Sequence, residues 1–136
     1  MVGVLIATHG ELASGLRDAS NLIAGEQEQL DTIGLFEGND FDVFKDSIKE
    51  KMLALDTGDG VLVFVDLFAA TPYNASAFIT QELKEQMKVR VVAGTNLPMV
   101  LETLMTRAFE TDLDALYKGA ISTGKEGIVE FLEQVE

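Results

Sequence analysis

The stretch Val2-Gly3-Val4-Leu5-Ile6-Ala7-Thr8-His9-Gly10 sets the frame in which the rest of the chain is read. Its apolar part, residues 2–7, is short, continuous and rich in Val, Leu and Ile, as a strand covered on both faces should be. It stops at Thr8, His9 and Gly10. His9 is the only histidine, and no cysteine is present to share nucleophilic work. A single imidazole at the exit of a first strand is therefore where chemistry is expected.

Working outward, three more segments have strand character: residues 30–36, 61–66 and 89–93. The last two are continuous like the first. Helical spacing fills the gaps. Leu12, Leu16, Ala19 and Ile23 recur at helical intervals, and Gly25 provides a C-terminal stop. After Asn39 and Asp40, either of which can cap, Phe41, Phe44, Ile48, Met52 and Leu55 mark a second amphipathic helix. A third starts at Thr71-Pro72, with Thr71 as N-cap and Pro72 at the first helical position, and runs to about residue 87. A fourth begins near 96–98 and carries Val100, Leu101, Leu104 and Ala108. The last extends from 112 to about 134 on Leu113, Leu116, Ala120, Ile128, Phe131 and Leu132. Gly119, Gly124 and Gly127 weaken that final helix, each interior glycine costing up to about 1 kcal/mol against alanine.

Strands alternating with helices predict an α/β fold: βαβ units, right-handed crossovers and a mainly four-stranded parallel sheet, doubly wound with helices on both faces. The order 2-1-3-4 lets helices cover both sides. No linker, repeat or low-complexity segment interrupts residues 1–136, so one domain is expected. In such a sheet ligands bind outside the carboxyl ends of the strands, at the switch point, here between strands 1 and 3. Strand 1 ends at His9 and strand 3 at Asp66, so an imidazole and a carboxylate meet in one crevice. A carboxylate on one ring nitrogen fixes the tautomer and leaves the other nitrogen as nucleophile. The segment 94–98 should form the third wall. Helix starts at Thr71 and near Asn96 would aim free amides at an anion such as a phosphoryl group, and Thr8, Thr71 and Thr95 add hydroxyls. Taken singly, each feature has an ordinary structural explanation: a surface histidine, a turn-forming aspartate, a routine Thr-Pro helix start. Their weight comes from convergence.

Composition narrows the classes. At 136 residues with 47% hydrophobic side chains, the chain can bury a real core. No apolar run reaches the roughly 18 residues of a membrane span, and no basic residue precedes the first apolar stretch as in a signal peptide. The absence of cysteine excludes disulfides and thiolate metal sites. A soluble, cytoplasmic protein is the expectation. Ten Lys plus Arg stand against 23 Asp plus Glu, a formal net charge of −13. That field repels nucleic acid, and it either favours basic protein partners or serves solubility alone.

Four motifs together resemble one family, the enzyme IIA component (EIIA) of mannose-type (mannose/fructose/sorbose) sugar phosphotransferase systems. Thr8-His9-Gly10 is similar to its active-site Thr-His-Gly. The segment from Val65 through Asp66, Leu67, Phe68, Ala69, Ala70, Thr71, Pro72 and Tyr73 to Asn74 resembles its Val-Asp-x-x-Gly-Gly-Ser-Pro-Phe-Asn. Ala93-Gly94-Thr95-Asn96-Leu97-Pro98-Met99 with Glu102-Thr103-Leu104, and Thr123-Gly124-Lys125-Glu126-Gly127, match its later stretches. The resemblance covers essentially the whole chain in order. It implies that His9 takes a phosphoryl group on Nε2 from the histidine-containing phosphocarrier protein and passes it to the EIIB component of a sugar permease. Asp66 would orient His9 through Nδ1. Thr8, Thr71, Tyr73 and Asn74 make up the expected phosphate-binding set. Phe68, Leu97, Pro98 and Met99 are the expected partner-facing rim, with Tyr73 beside them. The resemblance also implies a homodimer with a short antiparallel C-terminal strand exchanged between subunits, contact with the membrane permease only through EIIB, and no metal or organic cofactor. Ala69-Ala70 departs from the family's Gly-Gly, so a positive φ there is harder to keep.

Other functions fit less well. A histidine phosphatase would need an arginine where Thr8 stands, and a second histidine. A response-regulator receiver would need an acidic pair after strand 1. A nucleotide-binding module would need a glycine-rich loop there, and neither G-x-G-x-x-G nor a Walker sequence is present. Two alternatives stay open at this point: the phosphotransferase subunit of a dihydroxyacetone kinase, and a regulatory domain that signals through His9 phosphorylation.

Overall fold

The computed structural model describes residues 1–135. Four parallel strands, β1 (Gly3–His9), β2 (Leu30–Leu35), β3 (Val61–Val65) and β4 (Val89–Val92), form one sheet in the order β2-β1-β3-β4. Six helices connect and flank them: α1 (Leu12–Ala24), α2 (Phe41–Leu55), α3 (Thr71–Glu82), α4 (Leu97–Thr106), α5 (Leu113–Glu126) and α6 (Phe131–Val135). The expected class and order are thus observed. The strand period of two divides the core. Val4, Ile6, Leu62 and Phe64 face one way, against Ala13, Leu16, Val100, Leu104 and Leu116 of α1, α4 and α5. Leu5, Ala7, Val63 and Val65 face the other, against Phe44, Ile48, Met52, Ala75 and Ile79 of α2 and α3. Burial on both faces is why β1 and β3 read as continuous apolar runs. Among the described residues no helix is long and apolar enough to cross a membrane.

Several boundaries differ from the sequence-based expectation. In α1 the buried residues are Ala13, Leu16 and Ser20, whereas Leu12 and Ile23 face solvent. Small side chains at 13 and 20 let the helix approach the sheet closely, and the Ser20 hydroxyl is satisfied by the Leu16 carbonyl at 2.7 Å. In α3 the N-cap is Ala70, with Thr71 and Pro72 as the first two helical residues. Ala69, at φ 64, turns the chain just before Ala70, which is extended, so the helix starts at Thr71. The same helix ends at Glu82, because Leu83 to Met87 close in tighter turns, with Gln86 N donating to the Leu83 carbonyl at 2.8 Å.

The largest difference lies at the end of the chain. The single helix expected from 112 to about 134 is two, broken after Glu126 at Gly127. Ile128, Phe131 and Leu132, expected in the core, are exposed. No C-terminal strand is present among the described residues; the segment instead forms α6. Two of the three glycines, Gly124 in α5 and Gly127 just past it, have a packing reason. A Cβ on Gly124 would collide with Met99 Cγ and lie 2.9 Å from Met99 Sδ, and one on Gly127 would lie 2.9 Å from Pro98 Cγ. The glycines let the end of α5 press against the start of α4. Gly124→Ala is therefore expected to destabilise by about 1–3 kcal/mol through overpacking, despite alanine's better helix propensity; urea denaturation of the two proteins measures it.

A buried cation at the opposite end of the sheet was not anticipated. The Arg107 guanidinium, just past α4, donates to the carbonyls of Val2 and Gln29 at 2.9 Å and to that of Glu28. Burial pushes its pKa down to about 10, which leaves it charged at neutral pH. It ties α4 to the starts of β1 and β2.

Candidate active site

His9 is the last residue of β1, in register with Leu35 of β2. The chain then turns sharply at Gly10 (φ 54), whose N–H donates to the Leu35 carbonyl at 2.8 Å. The Gly10 carbonyl occupies the space a Cβ on Gly34 would need, so β2 must carry glycine beside the histidine. Asp66 follows the last residue of β3, across the switch point. Its Oδ2 lies 2.8 Å from His9 Nδ1 and accepts the His9 backbone N–H at 2.9 Å. Its Oδ1 accepts the Leu67 N–H at 2.9 Å. Burial by itself would raise the Asp66 carboxyl pKa; the hydrogen bonds from His9 and Leu67 outweigh it and hold the group below its ordinary 3.8.

An ionised carboxylate only accepts, so the proton between the two side chains sits on Nδ1 and the lone pair is on Nε2. The imidazole is 45% exposed and the carboxylate 11%. The arrangement is an oriented nitrogen nucleophile open to solvent, backed by a shielded negative charge. An aspartate and histidine 57 positions apart were expected to meet here, and they do.

A family model described as the PTS system fructose IIA component matches residues 3–121. The chain belongs to the mannose-type EIIA family. It is 35% identical over 127 residues to the PTS system mannose-specific EIIAB component of Escherichia coli (strain K12). That match takes in 93% of this chain but spans only 38% of the relative. The PTS system fructose-specific EIIA component of Bacillus subtilis (strain 168) is 32% identical over 107 residues, 79% of this chain and 71% of the relative. The crystal structure of a phosphotransferase system component EIIA from Streptococcus agalactiae matches with a TM-score of 0.90, at 28% identity, over 98% of this chain and 99% of that one.

In this EIIA the surroundings of His9 sort the remaining expected residues. Thr8 is fully buried; its hydroxyl accepts the Ala13 N–H at 2.8 Å and donates to the His9 carbonyl at 3.1 Å. It therefore ties α1 to the end of β1, with its hydroxyl engaged by backbone groups on both sides. Thr8→Val should leave the Ala13 amide without its partner and cost about 1–3 kcal/mol, read as a lowered urea midpoint. Thr95 is likewise engaged, donating to the Val65 carbonyl at 2.7 Å. Thr71 keeps a free hydroxyl, with no hydrogen-bond partner among the described residues. Tyr73 is half-buried under Phe68, their ring centroids 4.9 Å apart. The Asn74 amide donates to the Ala69 carbonyl at 3.0 Å.

The two helix starts are not equivalent. The N-terminus of α4 is capped by its own Asn96, which accepts the Met99 N–H at 3.1 Å and anchors to the Gly124 carbonyl through Nδ2 at 3.1 Å. The N-terminus of α3 has only Ala70 at the cap and no side-chain acceptor. Of these two starts, α3 therefore keeps the freer amides, beside Asp66. The expected rim also changes. Met99 is 4% exposed and belongs to the core; Leu97 packs half-buried against it, and Pro98 rests near Gly127. Phe68, 74% exposed, remains at the surface, joined by Leu67 and Phe36. Neither of these had a distinctive signal: Phe36 follows β2 beside the partner of His9, and Leu67 follows the aspartate.

Proposed function

We propose that residues 1–136 act as a cytoplasmic phosphocarrier domain of a sugar phosphotransferase system, and hence as a phosphoprotein. His9 accepts a phosphoryl group from the histidine-containing phosphocarrier protein and donates it to an EIIB component. The observation that carries this reading is the His9–Asp66 pair, with Nδ1 held at 2.8 Å and the imidazole 45% exposed. The Nε2 lone pair attacks the phosphorus of the donor's phosphohistidine as the donor's N–P bond breaks in line; no proton need move. The ring, now bearing phosphorus on Nε2 and hydrogen on Nδ1, carries a formal positive charge that the Asp66 carboxylate offsets. The same charge keeps the phosphoryl group transferable to the next acceptor. Such transfer asks mainly for positioning and electrostatics.

The phosphoryl oxygens are received by the uncapped start of α3 and the Thr71 hydroxyl, with Tyr73 and Asn74 beside them. Thr8 acts by placing His9. The exposed Leu67, Phe68 and Phe36 form the apolar part of the docking rim, and the net charge of −13 suits basic partners. A homodimer is part of this proposal. Ile23 and Leu22 on α1, Met105 and Phe109 near the end of the neighbouring α4, and Ile128, Phe131 and Leu132 at the C-terminus are all exposed. Apolar surface on that scale is characteristic of interaction sites, and sedimentation velocity reads the mass.

The test mixes the protein with phosphoenolpyruvate, enzyme I and the phosphocarrier protein. Acid-labile, base-stable labelling that chases onto purified EIIB domains is expected. Labelling that EIIB cannot remove would turn the reading toward a kinase subunit or a signalling domain.

A further inference from the structure

We propose that Asn74 is a positioning residue: its side chain latches the β3–α3 loop in the one shape that presents backbone amides to a phosphoryl group on His9. The inference rests on the phosphocarrier reading and goes beyond it by assigning Asn74 to the loop and not to the phosphate. Asn74 lies in the first turn of α3, where the helix fixes its backbone. From there its Nδ2 reaches back five positions to the carbonyl of Ala69 at 3.0 Å. Among the described residues Ala69 is one of two non-glycine residues with positive φ, at 64, a region in which an alanine Cβ is crowded and which persists only when neighbours enforce it.

The loop has few other fastenings. At its start the Asp66 carboxylate takes the Leu67 N–H at 2.9 Å. Within it, Ala70 N reaches the Leu67 carbonyl only at 3.4 Å. Above it, Phe68 leans on Tyr73. The N–H groups of Phe68, Ala69 and Thr71 find no acceptor among the described residues, and Pro72 has none to offer. The left-handed turn at Ala69 sets the direction of these donors, so releasing that turn changes where they point. The unphosphorylated protein has nothing for them to hold and should scarcely notice. The phosphorylated protein loses charge-assisted donors to its phosphoryl oxygens. Because an Asn74 Nδ2–H donates to the Ala69 carbonyl, the latch acts on the phosphate through the backbone.

The experiment uses full-length protein phosphorylated through the phosphocarrier protein, freed of donor, and followed by loss of label. Asn74→Ala is expected to shorten the phosphohistidine lifetime about tenfold, the effect of losing one charge-assisted hydrogen bond. The thermal midpoint and the His9 ring resonances of the unphosphorylated form should stay as in wild type. Asn74→Asp, which keeps the shape without the donor, should shorten it at least as much. Adding Ala69→Gly to Asn74→Ala should restore most of the lifetime, since glycine enters the left-handed region without help. An unchanged lifetime in both Asn74 variants overturns the proposal. A shortened lifetime that Ala69→Gly fails to rescue also overturns it, pointing to direct contact between Asn74 and phosphate. Failure of the wild type to accept phosphate at all would instead remove the phosphocarrier reading.

Discussion

His9→Ala is expected to abolish phosphorylation by the phosphocarrier protein completely. His9 is the only histidine and cysteine is absent, so the chain contains no second imidazole and no thiolate that could inherit the group. The ring is nearly half exposed and its loss removes little core packing, so the fold should be unchanged. The measurement is labelling from phosphoenolpyruvate through enzyme I, with circular dichroism confirming an intact protein. Label that survives in the mutant, on Asp66 or a threonine, would sink the reading. The two alternatives are separated by the acceptor: a dihydroxyacetone kinase subunit would return phosphate to a kinase active site, and a signalling domain to no sugar-linked partner.

Asp66→Ala is expected to slow both acceptance and donation by on the order of 10²-fold, the loss associated with a misplaced proton or base, while the sheet stays folded. Three functions vanish together: the tautomer is no longer set, the ring is free to rotate, and the positive charge of the phosphorylated imidazole loses its counter-charge. Rapid-quench transfer assays from the phosphocarrier protein and to EIIB measure the two directions. Equal rates in mutant and wild type would remove Asp66 from the site. The carboxylate also has a stability signature. Its folded pKa is depressed, so its stabilisation is fully present above the ordinary value of 3.8 and is lost as pH falls from there through the lower folded value. Asp66→Asn should therefore flatten this part of the acid limb in a plot of unfolding free energy against pH. A mutant whose acid limb parallels that of wild type would contradict the hydrogen-bonding picture.

The fold was legible because its signals are strong and local. Continuous Val, Leu and Ile runs at 2–7 and 61–65 can be satisfied only by burial on both faces, and helical spacing between them leaves few topologies. His9 and Asp66 followed from topology alone, since strand ends at a switch point must converge. Less legible was everything that depends on side-chain direction. Thr8, Thr71 and Thr95 look equivalent in sequence, yet two of the hydroxyls are consumed by backbone groups of neighbouring elements. Met99 was expected with the rim, and it is core because Gly124 opens a place for it. Leu12 and Ile23 had the right period with the wrong phase, which only the packing of Ala13 and Ser20 against the sheet could reveal.

Periodicity and the identity of its one histidine were enough, on their own, to determine a parallel sheet of order 2-1-3-4 with a histidine–carboxylate crevice. Tertiary structure alone decided which donors face that crevice. Asn96 caps α4 through the Met99 N–H, whereas Ala70 has no side chain to cap α3, and Asn74 reaches back five residues to the Ala69 carbonyl. The physical reason is that burial pattern is written in every residue of a strand. A hydrogen bond between two loop atoms depends on a few dihedral angles, which composition and spacing do not record.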